Sequence, residues 1–291
     1  MRIGFIGLGA MGAGMAQNIL ARHGQLNVVA HRSRNAIDAL VALGAREVQD
    51  AARLARESDL ILLCLPNSDT VEKTVSAMTP HLRAGQILID TGTSCLTSTL
   101  ALAEQLSAKD ITFAEAPLTG GQAQAEAGQL GALVGCTDET FARIGPVLEM
   151  FCATVQHFGP VGTGARAKYI NNYMVMGIAA LVTEAFGLAR ETRTDWAQLY
   201  DVVIRGSADS GVLRRIMGQA KDGDFSGYAF SVANAAKDMG YITAMTAGMG
   251  RDTALNHAVK AFFDHAVAEG HGERRLSELL SPDLGAARSA D

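Results

Sequence analysis

The chain opens on Ile3-Gly4-Phe5-Ile6-Gly7-Leu8-Gly9-Ala10-Met11-Gly12, an apolar run that ends in three glycines spaced G-x-G-x-x-G. The residues before Gly7 read as a buried strand, and residues 11–23 carry a helical pattern. Each glycine has its own task in such a turn. One makes the tight bend, one lets backbone approach a pyrophosphate, and one lets the helix pack closely on the strand. A dinucleotide's phosphates would lie at the positive end of that helix. Gly7, Leu8, Gly9, Ala10, Met11 and Gly12 are therefore read as cofactor-binding. Glycines that merely pack a helix on a strand would explain Gly12 but not all three.

Outward from this turn, short apolar runs alternate with helical segments. Strands are expected at 2–7, 27–31, 59–65, 86–90 and 111–115, and helices at 11–23, 34–43, 50–56, 69–78 and 96–108. The runs are apolar throughout rather than at every second residue, as in strands buried on both faces. Beyond the glycine-bearing stretch 159–164 only helical periodicity remains, at 165–190, 196–204, 212–220, 229–247 and 252–269. This predicts an α/β fold: a Rossmann-type, doubly wound, mostly parallel sheet over residues 1–162, followed by an all-helical C-terminal domain over 163–291. The tail 281–291 is expected to fray.

Composition narrows the function. A formal net charge of −5 supplies no basic footprint, so nucleic acid and anionic membranes are not expected partners. The longest continuous apolar run, 60–65, and the softer stretch 174–182 both fall short of a membrane span, and no signal peptide is read. Cys64, Cys95, Cys136 and Cys152 lack metal or redox spacing, which fits a cytoplasmic protein in a reducing compartment. No histidine cluster has metal-ligand spacing, so no metal is expected.

The end of the second strand bears on the cofactor. An acid there would bind both ribose hydroxyls and repel a 2′-phosphate, whereas an arginine would accept that phosphate. The chain has His31-Arg32-Ser33-Arg34 and no acid. NADP(H) is favoured over NAD(H), with His31, Arg32 and Ser33 around the 2′-phosphate.

Further motifs run in order along the chain. They are Cys64-Leu65-Pro66, Asp90-Thr91-Gly92-Thr93, Glu115-Ala116-Pro117-Leu118-Thr119-Gly120-Gly121 with Ala125 and Gly128, then Gly159-x-x-Gly162-x-Gly164-x-x-x-Lys168-x-x-x-Asn172, and finally Lys237-Asp238. Together with the opening turn they resemble the β-hydroxyacid dehydrogenases of the 3-hydroxyisobutyrate dehydrogenase and tartronate semialdehyde reductase type. The resemblance implies Lys168 as the catalytic general acid and base. It places Leu65, Pro66, Thr93 and Lys237 about the nicotinamide, and Thr93, Thr119, Gly120, Gly121 and Asn172 about a small carboxylate substrate. It also implies that the helical domain 163–291 serves substrate binding and oligomerisation, in a homodimer or homotetramer, for which the apolar content of 174–182 is suitable.

Elementary chemistry agrees with these roles. Lys168 and Asn172 stand four apart near a helix start, so both reach toward one ligand. The helix macrodipole and partial burial favour the neutral amine, whereas a bound carboxylate favours the ammonium. The Thr119-Gly120-Gly121 loop offers backbone N–H groups and a hydroxyl to a carboxylate. Three departures bear on substrate identity: Gly92 and Thr119 stand where the family usually has serine, and Leu96 where it often has proline. Two alternatives are an imine reductase-like NADPH enzyme, which generally lacks the lysine matched by Lys168, and a non-catalytic dinucleotide-binding protein.

Overall fold

Leu60-Ile61-Leu62-Leu63 forms strand β4 and is buried at every residue. Leu60 and Leu62 enter one apolar core with Phe5, Met15 and Ile19, while Ile61 and Leu63 enter a second with Val71, Val75 and Leu102. Two cores on opposite faces account for the unbroken apolar runs, because successive side chains of a strand point to opposite sides. The structure, a computed structural model, describes residues 1–30 and 34–285.

Residues 1–168 and 169–291 form two compact units. In the first, β1 (Ile3–Ile6), α1 (Ala10–His23), β2 (Asn27–Val29), α2 (Asn35–Ala42), β3 (Arg46–Val48) and α3 (Ala51–Glu57) are followed by β4. Helix α4 (Ser68–Met78), β5 (Ile87–Asp90), α5 (Leu96–Ser107) and β6 (Thr112–Glu115) complete the alternation. The sheet runs β3-β2-β1-β4-β5-β6, every neighbouring pair parallel. This is the doubly wound Rossmann order.

Five strands and helices of the first unit carry no expectation from the sequence. Edge strand β3, Arg46-Glu47-Val48, is short and largely exposed, so it lacks an apolar run. The others are β7 (Leu118–Thr119), β8 (Leu130–Gly135), α7 (Asp138–Leu148) and β9 (Cys152–Gly159), while the short helix α6 (Gln122–Glu126) between β7 and β8 is the helical turn that the glycine pair Gly120-Gly121 leads into. Strand β8 pairs antiparallel with β6 and β7 and parallel with β9. Its glycines weaken the strand signal, yet added side chains would not fit. A Cβ at Gly131 would stand 2.5 Å from the Thr119 hydroxyl, and one at Gly135 would stand 2.0 Å from the Glu115 carboxylate.

The second unit takes up most of helix α8 (Thr163–Glu191), then α9 (Trp196–Val203), α10 (Gly211–Ala220), α11 (Val232–Gly248) and α12 (Ala254–Ala266). Asp195, Ser210, Ser231 and Thr253 each cap the helix that follows by accepting a backbone N–H. The helix expected to reach residue 269 ends at Ala266 and continues as a π-type segment in which Gly270 turns at φ +84°. Residues 282–285 form a short helix α13 (Pro282–Gly285), and the rest of the tail lies outside the described residues.

Among the described residues, α8 alone is long and apolar enough to cross a membrane, with a mean hydropathy of 1.4 over eighteen residues. Polar residues interrupt it, so its softer apolar stretch 174–182 is too short by itself for a span. The same helix buries Tyr169, Met176, Ala179 and Phe186 within the protein, as a core helix does.

Candidate active site

The loops after β1, β4 and β5 meet at one edge of the sheet. The N–H of Cys64 donates to the Ile6 carbonyl at 2.9 Å, and that of Thr91 to the Leu63 carbonyl at 2.9 Å. This edge lies at the carboxyl ends of the strands, and between β1 and β4 the chain reverses its winding, the place where such sheets bind ligands. The glycine turn is built for close approach. Gly7 has φ +107°, and a Cβ on it would stand 2.1 Å from the Cys64 carbonyl oxygen. One on Gly12 would stand 1.9 Å from the Gly7 carbonyl oxygen, so α1 can pack here only on glycine. Gly9 is different: nothing lies within 4 Å of a Cβ there. It is the N-cap of α1, with no side-chain cap and no acid in the first turn. The first-turn N–H groups thus have no cap side chain and no first-turn acid beside them, and their positive potential fits a dinucleotide pyrophosphate.

Leu65, Pro66 and Thr93 lie on the two adjoining loops, Leu65 and Thr93 half-buried and Pro66 exposed. The second loop is tied down by Asp90, whose carboxylate accepts from the Gly92 N–H at 2.9 Å and the Ser94 hydroxyl at 2.5 Å. The absent hydroxyl at Gly92 has a steric counterpart: a Cβ there would lie 3.0 Å from the Leu65 carbonyl oxygen. His31, Arg32 and Ser33 lie outside the described residues. Their neighbour Arg34 is engaged with Asp38 and Glu47, each at 2.8 Å.

In the Thr119-Gly120-Gly121 loop, Gly120 adopts φ +109°. The Thr119 hydroxyl points at the Gly131 carbonyl, a long contact of 3.4 Å. The Gly121 N–H donates to Gln124 Oε1 at 3.0 Å, so a carboxylate bound there would take a donor that Gln124 now holds. Lys168 is buried, and its ammonium donates to the Leu118 carbonyl at 2.5 Å, the residue just before this loop. The strand that leads into the loop thus also places the lysine.

Asn172 belongs to the second unit and lies one helical turn beyond Lys168 on α8. Its amide is held at both ends: Nδ2 donates to Asp238 Oδ2 at 2.6 Å, and Oδ1 accepts from Asn171 Nδ2 at 3.0 Å. Asp238 is itself buried, with the Lys237 ammonium 3.3 Å from its other oxygen and 5.5 Å from the Tyr241 ring. Sequence reasoning assigned Lys237 but gave its neighbour no role. A carboxylate beside an assigned lysine was the available signal; its bond to an asparagine 66 residues away was not.

Comparison with known proteins adds an independent line. Residues 2–159 match the family described as the NAD binding domain of 6-phosphogluconate dehydrogenase, and residues 162–282 that described as NAD-binding of NADP-dependent 3-hydroxyisobutyrate dehydrogenase. The chain is 30% identical to the 2-(hydroxymethyl)glutarate dehydrogenase of Eubacterium barkeri, covering 96% of this chain and 94% of that protein. It is also 30% identical to a 3-hydroxyisobutyrate dehydrogenase of Pseudomonas aeruginosa, over 93% and 94% of the two chains. Among solved structures it resembles Psf3 in complex with NADP+ and 2-OPP, with TM-score 0.85, 25% identity and coverage of 96% and 98%.

Proposed function

The chain belongs to the β-hydroxyacid dehydrogenase family of NAD(P)-dependent oxidoreductases acting on CH–OH groups, and on that premise we propose that it interconverts a small β-hydroxy acid and its semialdehyde, preferring NADP(H). The observation that carries this reading is the placement of Lys168. It is a buried ammonium delivered to the backbone entering a glycine-rich loop, with an oriented asparagine one turn further on.

When bound, the nicotinamide dinucleotide supplies or accepts the hydride. The protein's residues do the rest. In reduction, Lys168 Nζ releases the Leu118 carbonyl and donates a proton to the substrate oxygen; in oxidation it takes that proton back. Thr93, Thr119, Gly120, Gly121 and Asn172 hold the substrate carboxylate, and Lys237, Leu65, Pro66 and Thr93 border the nicotinamide. The fixed amide of Asn172 arrives with its orientation set by Asp238, which lowers the ordering cost of binding. A panel of short semialdehydes, each with NADPH and with NADH, tests the reading. Turnover of a carboxylate-bearing semialdehyde supports it; turnover of cyclic imines alone assigns the chain to the imine reductase class, and dinucleotide binding without any turnover to the non-catalytic one.

The NADP preference rests on His31, Arg32 and Ser33 and on the absence of an acid in that stretch; Arg34, paired with Asp38 and Glu47, is not counted toward it. Arg32→Ala is expected to raise KM for NADPH by about 10- to 100-fold, the worth of a charge-assisted phosphate contact. KM for NADH should stay within about twofold on the same grounds. Equal weakening of both cofactors would refute the phosphate contact.

Self-association is part of the same proposal. Exposed Ile170, Met174, Leu181 and Leu188 follow spacings that put them on one stripe of α8, and a second copy of the chain would bury it. Leu181→Glu should shift the sedimenting species toward monomer; an unchanged assembly would remove α8 from the interface. The four cysteines are free thiols, in keeping with a reducing cytoplasm.

A further inference from the structure

The first turn of α8 has an unusual anchor. Gly162, which precedes the helix, has no side chain with which to cap it. Instead Glu115, at the end of β6, sends its Oε1 to the N–H groups of Gly162 at 2.5 Å, Gly164 at 3.1 Å and Ala165 at 3.4 Å. This does the work of an N-cap side chain from 47 residues away. The cradle admits nothing larger than glycine: a Cβ on Gly135 would lie 2.0 Å from Oε1, and one on Gly164 would lie 2.4 Å from the Leu133 carbonyl oxygen. Three residues after Glu115, the Leu118 carbonyl receives the Lys168 ammonium. One short segment of chain therefore grips α8 twice, once at its first turn and once through the lysine.

We infer that Glu115 is a positioning residue for Lys168, its carboxylate fixing the start of α8 and so the point at which the ammonium is presented. The inference rests on the proposed role of Lys168. A negative charge at a helix N-terminus also opposes the macrodipole that disfavours a cation in the first turns, so Glu115 acts on both the place and the charge of the lysine.

Glu115 is almost fully buried, and its Oε2 accepts no hydrogen bond among the described residues. Burial raises its pKa to about 7 although the three N–H donors pull the other way. Below that pH the neutral group accepts with its carbonyl oxygen alone, and such bonds are about half as strong as those to a carboxylate. The titratable groups around it are Asp90, its partner on β5, Lys168 on α8, and the Cys136 thiol beyond β8, itself pushed by burial to about 12. Beyond Cys136, His157 Nε2 lies 2.8 Å from the Cys136 carbonyl and His157 Nδ1 lies 3.4 Å from Asp138.

Glu115→Gln keeps the shape and removes the charge, so it should behave as the protonated wild type at every pH. The ratio of wild-type to variant kcat is expected to rise from near unity at about pH 6 to about tenfold at about pH 8.5, with dinucleotide KM unchanged. A purely structural role would lower kcat by one factor at all pH values. A flat ratio, or a change confined to KM, overturns the inference. If the glutamine variant does not fold, Glu115→Asp decides. Shortening the side chain by one methylene should lower kcat at unchanged dinucleotide KM and speed exchange of the Gly164 and Ala165 amides; wild-type kcat would overturn the inference. Lys168→Ala run in parallel separates the two claims. Turnover surviving in it sinks the role of Lys168, whereas turnover lost in it beside a flat Glu115→Gln ratio sinks only Glu115.

Discussion

Lys168→Ala is expected to bind NADPH as the wild type does and to turn over semialdehyde about 10²- to 10⁴-fold more slowly, the range a positioned general acid supplies. Binding should survive because the phosphate turn is built from Gly7 and Gly9 ahead of α1 and Gly12 within it, a different stretch of chain from the helix that carries Lys168. Truncation leaves the Leu118 carbonyl without its ammonium donor, so a modest loss of stability, on the order of 1–3 kcal/mol, should accompany the kinetic effect. Turnover is therefore compared at a temperature where both proteins are folded. Lys168→Arg is not a neutral control: its guanidinium keeps its charge at all working pH values and cannot act as the base in oxidation. Near-normal turnover in the alanine variant would remove Lys168 from the mechanism.

The second large effect distinguishes two glycines that look alike in the sequence. Gly7→Ala forces a side chain into φ +107° and against the Cys64 carbonyl, and should cost about 3 kcal/mol or more of stability from strain and overpacking together. Gly9→Ala meets open space instead. It should change stability by no more than about 1 kcal/mol, the difference between glycine and alanine at an N-cap. Its methyl group nevertheless projects where the pyrophosphate would lie, so dinucleotide affinity should fall at least about tenfold, roughly 1.4 kcal/mol. Thermal unfolding and dinucleotide titration of both variants measure the two effects separately. Gly9→Ala binding with wild-type affinity would place the pyrophosphate elsewhere, and Gly7→Ala melting with the wild type would show that the turn relaxes.

How much of the site was legible beforehand depended on the distance between partners. Strand, turn and helix around Gly7–Gly12 are covalently adjacent, so residue spacing alone predicts them. The span 116–162 was harder to read. Its strands β8 and β9 sit toward an edge of the sheet, are glycine-bearing or half-exposed, and are held by pairing rather than by propensity. The Gly121 N–H was expected to await a carboxylate but is held by Gln124. A glutamine three residues ahead is visible in the sequence; its choice of a backbone donor is not.

What the sequence determined by itself was the doubly wound, mostly parallel class of the first unit, the helical character of the second, the family, and the types of residue available for chemistry. These follow from local spacing and from the sidedness of burial, which covalent geometry imposes. Only the tertiary structure decided which of those groups are already engaged. Glu115 caps a helix 47 residues away and Asp238 orients an asparagine 66 residues away. Such bonds form because a buried polar group must find a partner or carry a desolvation cost of about 1–3 kcal/mol. Which partner it finds is set by the approach of backbones that the linear chain keeps apart.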